Sequence, residues 1–343
     1  MKFLIYLLIS LMGFTNVPST SLSQNNTYII DQQSSIIKEV VSPQLPSVEQ
    51  DDEIVSGVTL STKNQYWDKI TLKGQTNVVY KEKCGAEALI IELPANFIKE
   101  DEIGFSSIRS SAIKDFDIKT IEGHQYLFIQ YPRNYASRVY KDTLDDTTLH
   151  IDVAKSQNPY KYKVVIDPGH GGYDPGATKD GVDEKNVVLD ISLRMEHRLK
   201  DMGIDVVYTR KNDVFVDLPD RSFLSNRVQP DAFVSVHDNS NEDTSPNGIA
   251  TYMYSPNGYQ TSQRLKLATS IQSELMKEFP TWTDLGILQD NFSVLRRTKQ
   301  PSVLVEFGFI SNAKDREMLS NPQIRDKAAV AISNGIEKYL ITK

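Results

Sequence analysis

The chain has 343 residues, 39% hydrophobic and 24% charged, which is ordinary for a soluble globular protein. That length suits two domains, or one domain with an extended N-terminal part. A net charge of −7 argues against nucleic acid as the main partner, because phosphate binding needs a basic surface.

In chain order, Met1-Lys2 precedes an apolar run from Phe3 to Phe14, and Ser21-Leu22-Ser23 stands before Gln24. This pattern predicts a secretory signal peptide over 1–23. The run is short for a bilayer span, so an uncleaved membrane anchor is the weaker alternative. No second long apolar stretch follows, and the mature chain is expected to be secreted beyond the cytoplasmic membrane, to cell wall or periplasm. Residues 24–56 are rich in Ser, Gln and Asn, with Pro43, Pro46 and Asp51-Asp52-Glu53. Such a segment buries little apolar surface and reads as a flexible linker. Cys84 is the only cysteine, which excludes an intramolecular disulfide and suggests a half-buried thiol.

Residues 57–155 carry short runs rich in β-branched and aromatic residues. They are Ile70–Gly74, Val78–Tyr80, Ala88–Leu93, Tyr126–Tyr131 and Thr148–Val153, punctuated by Gly, Asn, Asp and Pro. They predict a small all-β sandwich. His124 and His150 lie in or beside these strands without an evident partner and are expected to be structural. The strand spacing and the closing Leu149-x-Ile151-Asp152-Val153 resemble the AMIN module, which implies a wall- or envelope-binding role for this part.

Over 163–343 the texture alternates. Strands are expected at Val164–Asp167, Asp205–Thr209, Ala232–His237, Gly248–Tyr254 and Ser302–Glu306. Helices are expected at Asn186–Met202, Asp220–Val228 and Gln260–Phe279, with two more ending near Leu340. In the first, Val188, Ile191, Met195, Leu199 and Met202 share one face, and Gly203 is well placed to stop it. The fold class is α/β, a largely parallel sheet covered by helices on both faces, preceded by the sandwich.

Three of these strands end in a residue able to carry metal or proton chemistry: His170 in the Gly-rich break after the first, His237 and Glu306. Parallel strands converge at their C-terminal edge. Glu184, at the start of the first long helix, can sit over the same edge, with Asp183 as its rival. Two histidines and one carboxylate form the ligand set of many catalytic zinc sites, leaving a fourth position for water. A second carboxylate then serves as general base. Glu306 suits that role, since its apolar neighbours desolvate it and raise its pKa. Each residue also has a plain alternative: Glu184 as a helix-start acid, His237 as a satisfied buried polar group, Glu306 paired with an arginine such as Arg296.

The motif Val165-Ile166-Asp167-Pro168-Gly169-His170-Gly171-Gly172-x-Asp174-Pro175-Gly176-Ala177 resembles the opening of the zinc-dependent N-acetylmuramoyl-L-alanine amidases of bacterial cell walls. The likeness continues through Glu184-Lys185-Asn186, Thr209-Arg210-x-x-Asp213, Leu218-x-x-Arg221 and Ser235-Val236-His237-x-Asn239. It ends with Val294-Leu295-Arg296 and Pro301-x-Val303-Leu304-Val305-Glu306-x-Gly308-Phe309-Ile310-Ser311-Asn312. It implies zinc held by His170, Glu184 and His237, with Glu306 as the catalytic carboxylate. The implied substrate is peptidoglycan, cut between N-acetylmuramic acid and L-alanine of the stem peptide. A zinc peptidase acting within the stem, or a catalytically silent wall-binding protein, are the alternatives, and an activator protein stays open as a further partner.

Asp238 departs from the family's usual small residue and is expected either beside a ligand or in solvent. The short run from Asp238 to Asn247 leaves no room for the helical plug some relatives carry. Arg210, Arg221 and Arg227 are read as partners of Asp213, Asp217 or Asp220, with recognition of stem-peptide carboxylates as the sharper option. His197, away from any strand end, is left structural.

Overall fold

The computed structural model describes residues 57–99 and 110–343, together with the backbone of Lys38–Glu39. The leader expected over 1–23 and most of the linker expected over 24–56 lie outside these residues. Among the described residues no helix is long and apolar enough to cross a membrane.

The N-terminal strands are β1 (Lys38–Glu39), β2 (Gly57–Ser61), β3 (Trp67–Lys73), β4 (Lys81–Cys84) and β5 (Ala88–Leu93). They continue with β6 (Asp115–Ile121), β7 (His124–Gln130), β8 (Ser137–Lys141) and β9 (Thr148–Ala154). They form two antiparallel sheets, ordered β1-β4-β5-β7-β6 and β2-β3-β9-β8. One apolar cluster, with Ile70, Leu72, Leu89, Ile91, Leu127, Ile129, Leu149 and Ile151, fills the space between them. That is the expected sandwich. Two local expectations change. Val78–Tyr80 is a crossing rather than a strand: Val78 N–H bonds the Asp146 carbonyl, Val79 is exposed, and the pairing begins at Lys81. The Cys84 thiol is exposed, 3.1 Å from the Tyr131 hydroxyl, not half-buried.

The second half contains β10 (Tyr162–Pro168), the hairpin β11 (Thr178–Lys179) and β12 (Val182–Asp183), α1 (Glu184–Asp201), β13 (Ile204–Tyr208) and α2 (Leu218–Val228). Then come β14 (Ala232–Asn239), β15 (Ile249–Met253), α3 (Thr261–Glu278), β16 (Asp284–Gln289) and α4 (Ser293–Arg297). The chain closes with β17 (Ser302–Phe309), α5 (Ala313–Leu319) and α6 (Pro322–Thr342). The sheet order is β13-β10-β14-β17-β15-β16, and only β15 against β17 runs antiparallel. Alternate residues of its central strands point to opposite faces. Val164, Ile166, Val234 and Val236 pack with apolar residues of α1, α3 and α6, while Val165, Phe233 and Leu304 pack with Val294 and Leu295 of α4. Helices therefore cover both faces. β16 and α4 were not anticipated.

The sandwich is docked on the C-terminal end of α1. All seven residues of β9 are buried, including polar Thr148, His150 and Asp152, and on the neighbouring strand Tyr140 packs against Leu193 and His197 of α1. Helix ends leave carbonyls without intrahelical donors. Here Trp67 Nε1 donates to the Lys200 carbonyl at 2.9 Å and Asn64 Nδ2 to that of Asp201 at 3.1 Å. Arg138 lies 4.3 Å over the Trp67 ring and reaches Asp152 Oδ2 from Nε at 2.7 Å and from Nη2 at 2.6 Å. It also pairs with Asp201. His197 stacks on Tyr140 with centroids 3.6 Å apart, and burial, reinforced by the charges of Arg138 and Lys200, holds it well below the usual imidazole value. His197 is structural, as expected, but its place is this junction.

Asp152 is fully buried, so removing its cation leaves an unpaired interior charge. Arg138→Ala is expected to lower stability by about 3–5 kcal/mol, read by urea unfolding. A loss under about 1 kcal/mol would mean that the pair behaves as a surface bridge.

Candidate metal centre

β10, β14 and β17 are parallel neighbours, so their C-terminal ends open on one edge of the sheet. The chain leaves β10 through Gly169, whose N–H bonds the Val236 carbonyl at 3.0 Å. A Cβ on Gly169 would lie 2.2 Å from His237 Cε1, so glycine is what lets the imidazole of β14 rest against this turn. His170 follows in a left-handed conformation, φ 57°, which is uncommon for a residue with a Cβ. The surrounding bonds hold it there.

Two buried arginines do most of that holding. Arg221 donates to the Pro168 carbonyl at 2.6 Å, the His170 carbonyl at 2.7 Å and Asp167 Oδ1 at 2.9 Å. Arg210 donates to the carbonyls of Pro168 at 3.1 Å, Gly169 at 2.6 Å and Lys185 at 2.9 Å. Burial, and then the charge of Arg221, push Arg210 down to about 10. Their partners are thus Asp167 and backbone carbonyls, not Asp213, Asp217 or Asp220. Both guanidinium groups are committed to these carbonyls and to Asp167. Arg227 is exposed.

His170 Nδ1 lies 2.8 Å from Asp174 Oδ2, which turns Nε2 toward Glu184 Oε1, 3.1 Å away. The same oxygen is 2.8 Å from His237 Nδ1. One ligand atom from each of His170, Glu184 and His237 lies within 4.8 Å of the others, a set that could hold a metal ion. Glu184 is the first residue of α1 and is 3% exposed. Its Oε2 accepts from Ala177 N–H at 2.9 Å, and Oε1 accepts from Asp238 N–H at 3.2 Å. Gly176, at φ +68°, leaves room for it, since a Cβ there would meet Oε2 at 2.5 Å. Asp183, one residue earlier, belongs to β12 and is outside the cluster.

Burial works against the Glu184 anion, but its bonds to the two imidazoles hold it well below the usual carboxylate range. Burial likewise pulls His170 down, and hydrogen bonds to Glu184 and Asp174 outweigh it, leaving this imidazole above its ordinary value. With one carboxylate oxygen shared between two ring nitrogens, at least one imidazole must supply a proton. A divalent cation satisfies all three atoms without that proton. The donor set, two nitrogens and an oxygen with a carboxylate fixing one tautomer, fits zinc.

Glu306 pairs in register with His237. Its side chain is almost wholly buried, and Oε2 has no hydrogen-bond partner among the described residues. Burial, then the charge of Glu184, push its carboxyl well above the usual value. Arg296 bonds Asn291 instead. Asp238 does not point to solvent: it is 3% exposed, and neither carboxylate oxygen has a partner among the described residues. Burial and the charges of Glu184 and Glu306 push it up as well. Asp174 belongs to the same motif as His170, and its role is to hold His170 Nδ1. Its separation of four residues from His170, across a Gly-Gly turn, was the available clue.

Residues 164–338 match the family model described as N-acetylmuramoyl-L-alanine amidase. The chain is 41% identical over 176 residues to the N-acetylmuramoyl-L-alanine amidase LytC of Bacillus subtilis, covering 51% of this chain and 35% of LytC. It is 35% identical over 199 residues to the probable cell wall amidase LytH of Staphylococcus epidermidis, 56% of this chain and 64% of that protein. The match thus spans about a third of the first of these relatives and under two thirds of the second. Among solved structures, an N-acetylmuramoyl-L-alanine amidase from Clostridium difficile superposes with a TM-score of 0.50 at 32% identity, covering 53% of this chain and 98% of that one.

Proposed function

The chain belongs to the N-acetylmuramoyl-L-alanine amidase family, and from that premise we propose that it hydrolyses the amide joining N-acetylmuramic acid to L-alanine in peptidoglycan. The observation that carries this reading is the cluster of His170, Glu184 and His237 beside a buried Glu306 carboxylate with an unpartnered oxygen. His170, Glu184 and His237 are the proposed zinc ligands and Glu306 the proposed acid–base residue. Zinc, when bound, supplies Lewis acidity toward the amide carbonyl and raises the acidity of water.

The chain's own residues do the rest. Asp174 fixes the His170 tautomer, while Arg210 and Arg221 fix the turn that presents it. Glu306 accepts a proton from the attacking water and delivers it to the departing alanine nitrogen as the carbon–nitrogen bond breaks. The oxygen stays on the lactyl carboxylate, so atoms balance with water as the only co-reactant. A carboxyl whose pKa is raised by burial suits this double duty, because it is both a better base and a usable acid.

The sandwich, by its likeness to the AMIN module, is proposed to bind wall or envelope material. Export past the cytoplasmic membrane is proposed from the N-terminal sequence.

The test is product analysis on purified peptidoglycan. Glycan strands freed of peptide, together with intact stem peptides bearing a new N-terminal L-alanine, are expected. Shortened stems still attached to muramic acid would identify a peptidase instead.

A further inference from the structure

Tyr173 lies between His170 and Asp174 in the turn that carries the first proposed ligand. It is 80% exposed. Its ring stacks on Phe215, with centroids 4.3 Å and planes 28° apart. The turn is fixed in place: Gly171 and Asp174 exchange backbone hydrogen bonds at 2.9 and 3.2 Å. Gly172 N–H donates to Asp213 Oδ1 at 2.7 Å, and Lys185 Nζ bridges the Gly172 carbonyl at 2.8 Å and Asp213 Oδ2 at 2.7 Å. An aromatic face is therefore held in water on the turn that carries His170, with exposed Val214 and Leu218 nearby in the chain. A stacked pair of rings open to water offers an apolar face to a ligand.

We propose that Tyr173 and Phe215 form the saccharide subsite, a platform on which a pyranose ring of the glycan strand stacks. This rests on the amidase reading. The scissile amide is joined to the sugar through a short lactyl group, so a sugar ring must lie next to the metal cluster. Tyr173 is three residues from His170, at most about 11 Å along the chain. The C–H face of a pyranose carries slight positive charge and the aromatic face slight negative charge, which favours stacking. The stem peptide has a different place to go. A cleft of about 480 Å³ is lined by Thr178, Lys179, Ser240, Asn241, Glu242 and Ser311, among others, and its opposite charges suit a peptide bearing carboxylates and an amine. Tyr173 and Phe215 follow β10 and β13, whereas Ser240–Glu242 and Ser311 of the cleft follow β14 and β17, and Thr178 and Lys179 reach it from β11.

Peptide-free glycan oligomers, which offer nothing to cleave, probe the platform independently of turnover. With the zinc-loaded full chain, Tyr173→Ala is expected to weaken oligomer binding roughly fivefold, and Tyr173→Phe to retain it. On strand-linked stem peptides the Ala variant should raise KM by a similar factor, with kcat moving less. Equal oligomer binding by the parent and Tyr173→Ala overturns the proposal. So does a Tyr173→Ala defect confined to self-association, which would make the platform a contact between copies. Tyr173-dependent glycan binding by a parent that frees no L-alanine N-terminus would keep the saccharide subsite and remove the amidase reading.

Discussion

Glu306→Gln is expected to cut turnover by about 10²–10⁴-fold while zinc binding stays intact. The amide keeps the size of the carboxylate but cannot take a proton from water or return one to nitrogen. The position is unusual in three ways at once. It lies within a fully buried strand, β17; it stands in register with His237; and its Oε2 has no partner among the described residues. A group buried at that cost normally has a chemical use. The substitution relieves an unpaired interior carboxylate, so the variant should fold at least as well as the parent. Loss of activity with zinc content and unfolding midpoint preserved is the expected pattern. Activity within about threefold of the parent would remove Glu306 from the acid–base role.

His237→Ala is expected to bind no zinc, against about one ion per chain in the parent, and to lose turnover with it. Zinc at about 100 times its Kd should stabilise the parent by about 2.7 kcal/mol and the variant hardly at all, which thermal unfolding with and without chelator will read. Zinc binding should also weaken as pH falls. His170 is held above its ordinary value by Glu184 and Asp174 in spite of burial, so the competing proton is bound below that raised value and leaves above it. Zinc displaces it, and proton release on binding is the expected signature. A zinc-dependent rise in midpoint that survives His237→Ala would show that the ion sits elsewhere.

The catalytic half was legible because its information is local. The apolar run of β10 breaking at Pro168-Gly169, the strands that carry His237 and Glu306, and the face of α1 built from Val188, Ile191, Met195 and Leu199 are each readable over a few residues; the ends were not, since β14 runs on to Asn239 and β17 to Phe309. β16 was not, because Asp284–Gln289 contains a glycine and is an edge strand with no fully buried residue; without a buried face it carries no alternation. The five residues of α4 are too few to show a helical period. The sandwich was recognisable in kind but not in detail: Val78–Tyr80 has the composition of a strand and the hydrogen bonding of a crossing.

By itself, the sequence determined which residues could do the chemistry, since two histidines and two acids fall in or just after strands or at a helix start. Only the tertiary structure brought Glu184 rather than Asp183 beside the two histidines, because that placement depends on the turn of Gly176 and Ala177 folding back onto α1. Tertiary structure also reassigned Arg210 and Arg221 from the neighbouring aspartates to the carbonyls behind His170, buried Asp238, and brought Tyr173 onto Phe215. Periodicity and spacing report what a residue does along its own element. Partners 40 or more residues away, such as Arg221 for Asp167 or Glu184 for His237, are set by how strands line up across a sheet, and no local pattern encodes that.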